Sequence, residues 1–265
     1  MPRDVVLPLP SPQAGNGQSW INPQPGPLQT QATTALRVPA NPKTMFLGDS
    51  LTAGISGIDT VFYSSNGFLT DGYREYICRA FPTIVPYGGV TDTNSAYLVA
   101  NGKTQCEGHG GFTGPALASG LPGWLTATGV TIDLILLHCG TNGGANTGGQ
   151  GPTAASVLTM YNSFMSHNPS GVMIVGCNPG YPCSTTYPGD ASPYASVYLG
   201  LQACFAAILA NVTGGSMPRS IPADCGSTVV DGNLISDMLH PTGAGYAKMA
   251  AGWILALQSL HLEAA

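Results

Sequence analysis

Ile132-Asp133-Leu134-Ile135-Leu136-Leu137-His138-Cys139-Gly140-Thr141-Asn142 contains an unbroken apolar run of strand length that ends in a glycine turn. A strand with one wet face alternates apolar and polar residues. A continuous run predicts a strand covered by helices on both sides, as in a parallel sheet. Val172-Met173-Ile174-Val175-Gly176-Cys177 reads in the same way.

Outward from these two runs the same texture repeats. From Lys43 onward, short apolar stretches alternate with Gly-rich turns and amphipathic segments, which predicts an α/β fold with a five-stranded parallel sheet. Strands are expected near Thr44–Leu47, Ile84–Tyr87, Ile132–His138, Val172–Cys177 and Ser227–Val230. Helices fit near Asp71–Ala80, Gly114–Thr126, Thr153–Ser166, Tyr194–Leu209 and Gly243–Leu260. The last of these repeats apolar residues at Tyr246, Met249, Ala250, Trp253, Ile254 and Leu257, a stripe that keeps one face on the sheet.

A chain of 265 residues holds one such domain with a sizeable core. Residues 1–42 differ in composition, with nine of the 22 prolines, several glutamines and three charged residues. They read as a Pro/Gly/Gln-rich arm or linker, and residues 43–265 as the folded α/β domain.

Composition narrows the function. Charged residues are only 8% of the chain, and the net charge is -5 with eight scattered Lys and Arg. No basic stripe offers a nucleic acid a place to release counterions. No apolar run approaches the roughly 18 residues that span a bilayer, and the start has too many prolines for a secretory signal. Seven cysteines cannot all pair within one chain. With the low charge they lean towards an extracellular or extracytoplasmic setting. Cys177/Cys183 and Cys204/Cys225 are candidate disulfides, and buried thiols are the alternative.

In an open parallel sheet, chemistry belongs just beyond the carboxyl ends of the strands. Phe46-Leu47-Gly48-Asp49-Ser50-Leu51-Thr52-Ala53-Gly54 places Ser50 there, either as a nucleophile or as part of a helix-capping turn with Asp49. Asn142, after the third strand, either donates to an oxyanion or bonds its own turn. Ser236-Asp237-Met238-Leu239-His240-Pro241-Thr242-Gly243 sets Asp and His three apart ahead of the last helix. That spacing suits a carboxylate-oriented imidazole facing Ser50, although taken alone such a pair more often marks a helix cap.

The three segments together, in this order, resemble the SGNH/GDSL hydrolase superfamily in its first, third and fifth blocks: Gly48-Asp49-Ser50-Leu51, Gly140-Thr141-Asn142 and Asp237-Met238-Leu239-His240-Pro241. Cys106-Glu107-Gly108-His109-Gly110-Gly111-Phe112-Thr113 is similar to the Glu-Gly-His-Ser-Gly-Trp-Thr segment of the carbohydrate acetylesterase branch. Two positions depart from the pattern: Gly143 replaces the usual Asp, and Gly110 replaces Ser.

The resemblance implies a three-layer α/β/α, flavodoxin-like fold and a serine esterase. Ser50, Asp237 and His240 would be catalytic, with Ser50, Gly111 and Asn142 forming the oxyanion hole. It implies no cofactor and no metal; the histidines at 109, 138, 167, 240 and 261 likewise lack paired-ligand spacing. His109 reads as a local hydrogen-bonder and His138 as a core residue. The expected substrate is a short-chain acyl, above all acetyl, ester of a saccharide. The alternatives are a lipase or thioesterase for longer chains and a non-catalytic glycan-binding module.

Overall fold

The computed structural model describes residues 36–54, 72–91, 95–142, 154–177, 206–226, 228–229 and 240–263. These residues lie in a compact unit, Thr33–Ala265. The strands are β1 (Arg37–Pro39), β2 (Lys43–Gly48), β3 (Val85–Pro86), β4 (Val90–Thr91), β5 (Gln105–Gly108), β6 (Leu134–His138), β7 (Val172–Cys177), β8 (Ser220–Asp224) and β9 (His261–Glu263). The helices are α1 (Ser50–Ala53), α2 (Tyr73–Ala80), α3 (Ala96–Ala100), α4 (Gly114–Ala127), α5 (Ala154–His167), helical residues 206–213 (α6) and α7 (Gly243–Gln258).

The main sheet runs β4-β5-β2-β6-β7-β8. Its backbone is parallel except at β4, which lies antiparallel to β5. β3 joins the Lys43–Thr44 end of β2, and β5 joins the Leu47–Gly48 end. The apolar run of β6 is buried at every position, as its lack of alternation predicts. Helices α4 and α5 pack on each other, as do α2 and α7, to give the outer layers. Leu117, Leu121 and Leu125 are the buried residues of α4's apolar stripe, and Tyr246, Met249, Ala250, Trp253 and Leu257 form that of α7.

The architecture is α/β, as expected, and the strands differ from the expected ones. Among the described residues, seven strands rather than five form the main sheet. Among the described residues the last strand of the main sheet is Ser220–Asp224; of the expected Ser227–Val230, residues 228 and 229 are not strand, and Val229 N donates to Gly226 O at 3.0 Å, closing a turn there. Part of the expected arm also belongs to the domain. Arg37–Pro39 pairs in parallel with His261–Glu263, and Val38 is buried. Residues 1–35 lie outside the described residues.

Cys225, just beyond β8, is buried, and its Sγ lies 3.5 Å from Ala223 O. The expected Cys177/Cys183 and Cys204/Cys225 pairs each involve a residue outside the described ones. Cys183, Cys204 and the side chain of Cys177 lie outside the described residues.

Candidate active site

Three adjacent parallel strands, β5, β2 and β6, end at one level, with Gly48 in register with Gly108 on one side and His138 on the other. The chain leaves β2 toward β5 and later returns on the opposite side to form β6, so β2 marks the switch point where a ligand crevice opens. Residues 49–50, 109–112 and 139–142 all emerge there.

Ser50 is the first residue of α1. Gly48 allows this turn to sit tightly, because a Cβ there would collide with His138 O and Thr52 Oγ1. Asp49 caps the helix, its Oδ1 accepting from Leu51 N at 3.0 Å. Its Oδ2 accepts from Thr141 N at 3.4 Å, which joins the first block to the third. Two residues of α2 hold Thr52: Tyr73 OH lies 2.7 Å from Thr52 Oγ1, and Arg74 Nε donates to Thr52 O at 2.8 Å. Burial raises the Tyr73 phenol well above its usual value, so it stays a neutral hydrogen-bonding group.

His240 Nε2 lies 2.8 Å from Ser50 Oγ. Both side chains are almost completely buried, at 6% and 5% exposed. The helix that follows is capped by Thr242, whose Oγ1 accepts from Gly245 N at 3.2 Å. His240 is therefore not the cap, and its ring faces the serine. Asp237 lies outside the described residues.

The second block forms a tight turn. Phe112 N donates to His109 O at 3.1 Å, and Gly111 between them has φ 79°, a left-handed conformation suited to glycine in a type II turn. The turn bond uses the Phe112 amide and leaves the Gly111 amide outside it. Asn142 Nδ2 donates to Phe112 O at 3.2 Å, so the third block reaches the second. The structure thus brings Ser50 to His240, and Asn142 to the Gly111 turn.

The sequence places His109 in a local hydrogen bond and His138 in the core. His109 Nε2 indeed lies 2.9 Å from Glu107 Oε2, and His138 is buried. Glu107, Thr52, Tyr73 and Arg74 are further residues of the site, beyond those expected from the sequence. The Glu107–His109 pair had a readable signal, since residues two apart on extended chain share a face. The grip of α2 on Thr52 had none, because it depends on how two helices pack.

Among the described residues, no group of three or more His, Cys, Asp or Glu could hold a metal ion, and no helix is long and apolar enough to cross a membrane.

No protein-family model matches the chain, and no curated protein matches it in sequence. Solved structures share its fold. A carbohydrate esterase family 3 structure from Talaromyces cellulolyticus is 22% identical with a TM-score of 0.60, over 82% of this chain and 96% of that one. A family 3 carbohydrate esterase from Clostridium thermocellum is 19% identical with a TM-score of 0.59, over 84% and 96%. A carbohydrate acetylesterase from Sinorhizobium meliloti is 14% identical with a TM-score of 0.58, over 83% and 100%.

Proposed function

We propose that this chain is a carboxylic ester hydrolase, a serine esterase that removes short acyl groups, above all acetyl, from carbohydrate through an acyl-serine intermediate. The observation that carries the reading is the 2.8 Å approach of His240 Nε2 to Ser50 Oγ in a nearly dry site at the carboxyl edge of the sheet. A buried hydroxyl against an imidazole is the arrangement that makes a weak nucleophile reactive.

In this mechanism neutral His240 accepts the Ser50 proton at Nε2 as Oγ attacks the ester carbonyl. Asp237 bonds the other ring nitrogen and stabilises the imidazolium. The N–H groups of Ser50 and Gly111 and the side-chain amide of Asn142 hold the tetrahedral oxyanion. Collapse expels the alcohol, which takes the proton from His240. A water then loses its proton to His240, attacks the acyl-serine, and releases the carboxylic acid with Ser50 restored.

The acetyl and carbohydrate specificity is supported by the acetylesterase-like second block and by the fold shared with carbohydrate esterases. An extracytoplasmic location fits that substrate class. The test is acetate release from acetylated xylan and cleavage of p-nitrophenyl acetate and octanoate, wild type against Ser50→Ala. Ser50-dependent cleavage that favours acetyl is expected. Preference for octanoate would indicate a lipase or thioesterase, and equal background rates in both proteins a binding module.

A further inference from the structure

We infer that Glu107 and His109 are positioning residues that lock the oxyanion turn. The inference rests on the reading of Gly111 and Asn142 as oxyanion donors. Four contacts fix the turn's start. The His109 amide donates to Gly48 O at 2.8 Å, which ties it to the strand that delivers Ser50. The His109 ring reaches Glu107 Oε2 at 2.9 Å. The ring also stacks with Phe112, at 4.8 Å between centroids, and with Trp124 of α4, at 4.3 Å. These contacts hold the ring beside Glu107.

Glu107 is itself held. It is a carboxylate only 2% exposed, and its other oxygen accepts from Gly89 N at 2.5 Å, just ahead of β4. A buried carboxylate with a partner on each oxygen is a rigid anchor, because moving it would strand a charge without hydrogen bonds. The anchor reaches both proposed donors. Gly111 lies inside the turn that His109 starts, and Asn142 is bonded to Phe112 O, at which the turn ends. An amide nitrogen carries two hydrogens, so the bond to Phe112 O orients the second one. A shift of the turn therefore moves Gly111 and Asn142 together.

Steady-state cleavage of p-nitrophenyl acetate by the full chain tests this with Ser50→Ala, His109→Phe, Glu107→Gln, Asn142→Ala and the His109→Phe/Asn142→Ala double variant. Phe keeps the ring stack and loses only the bond to Glu107. His109→Phe should lower kcat on the order of a hundredfold, as a displacement of about 1 Å does, with KM little changed. Glu107→Gln, which keeps a neutral bond, should lower it about tenfold.

The double variant should lose much less than the product of the two single losses, since both act on one set of donors. Wild-type kcat in both positioning variants, or fully multiplicative losses in the double variant, would overturn the inference and leave the esterase reading standing. No Ser50-dependent cleavage by the wild type would overturn both. If His109→Phe lacks the wild-type near-UV circular dichroism, Glu107→Gln decides by its kcat.

Discussion

Replacing Gly108 with alanine should damage both stability and turnover, and the structure sets the scale. A Cβ at Gly108 would lie 2.5 Å from Ala53 N, 2.7 Å from Ala53 Cα and 2.9 Å from Thr52 C. These are backbone atoms of the short helix that begins with Ser50, so no flexible side chain can yield. Ordinary contact begins near 3.4 Å, so β5 and α1 must separate by roughly 0.9 Å. Overpacking of this kind costs about 1–3 kcal/mol. For a domain of this size that lowers Tm by about 2–4 °C for each kcal/mol.

A shift of about 1 Å at a nucleophile can also cost on the order of a hundredfold in rate. Urea unfolding and p-nitrophenyl acetate kinetics measure the two effects. Gly123→Ala is the matched control: it lies within α4 and a Cβ there meets nothing within 4 Å. It should stabilise the fold by about 0.5–1 kcal/mol and leave kcat unchanged. Gly108→Ala with wild-type stability and turnover would refute the packing of β5 on α1.

Three further outcomes follow. Asn142→Ala should reduce kcat on the order of 10²–10³-fold while KM changes little, as measured by steady-state kinetics. Trp253→Ala should cost about 3–5 kcal/mol in urea unfolding, because the indole stacks on Tyr73 at 5.7 Å between centroids and fills the space left by Gly176. Cys78 predicts a loss of stability in alkali. Burial pushes its thiol up to about 11, partly offset by the charges of Lys103 and Arg74. The folded value exceeds the unfolded one, so the stabilisation of the neutral thiol is intact below about pH 9 and lost as pH rises toward 11. Cys78→Ala should remove a component on the order of 1–3 kcal/mol from the pH 9–11 decline.

The parts of the fold legible in the sequence were those with enough residues to form a pattern. Leu134–Leu137 and Val172–Val175 declared buried strands because both faces are apolar. The long helices showed their stripes: Gly114–Thr126 and Gly243–Leu260 differ from the observed α4 and α7 by at most two residues. β8 was misplaced because its sequence, Ser-Ile-Pro-Ala-Asp, is a poor strand former, whereas Ser227-Thr-Val-Val230 is rich in β-branched residues. Tertiary context decides: among the described residues β8 ends the strand order and pairs with β7 alone, and an edge strand tolerates a proline that cannot donate.

β5 escaped notice for a related reason. Gln-Cys-Glu-Gly is short and polar, and it is held as a strand by β2 and β4 and by the partners of Glu107. At the site, Ser50, His240, Gly111 and Asn142 were readable as chemical types at strand ends. The clamp on Thr52 by Tyr73 and Arg74 was not, since it spans 21 and 22 residues of chain.

The central claim is that His240 activates Ser50, and covalent trapping tests it most directly. Incubation with a fluorophosphonate followed by intact mass and peptide mapping should give one adduct, on the peptide that carries Ser50. Labelling should vanish in Ser50→Ala and slow by several orders of magnitude in His240→Ala. An unlabelled wild type, or a label on a different residue, would contradict the account.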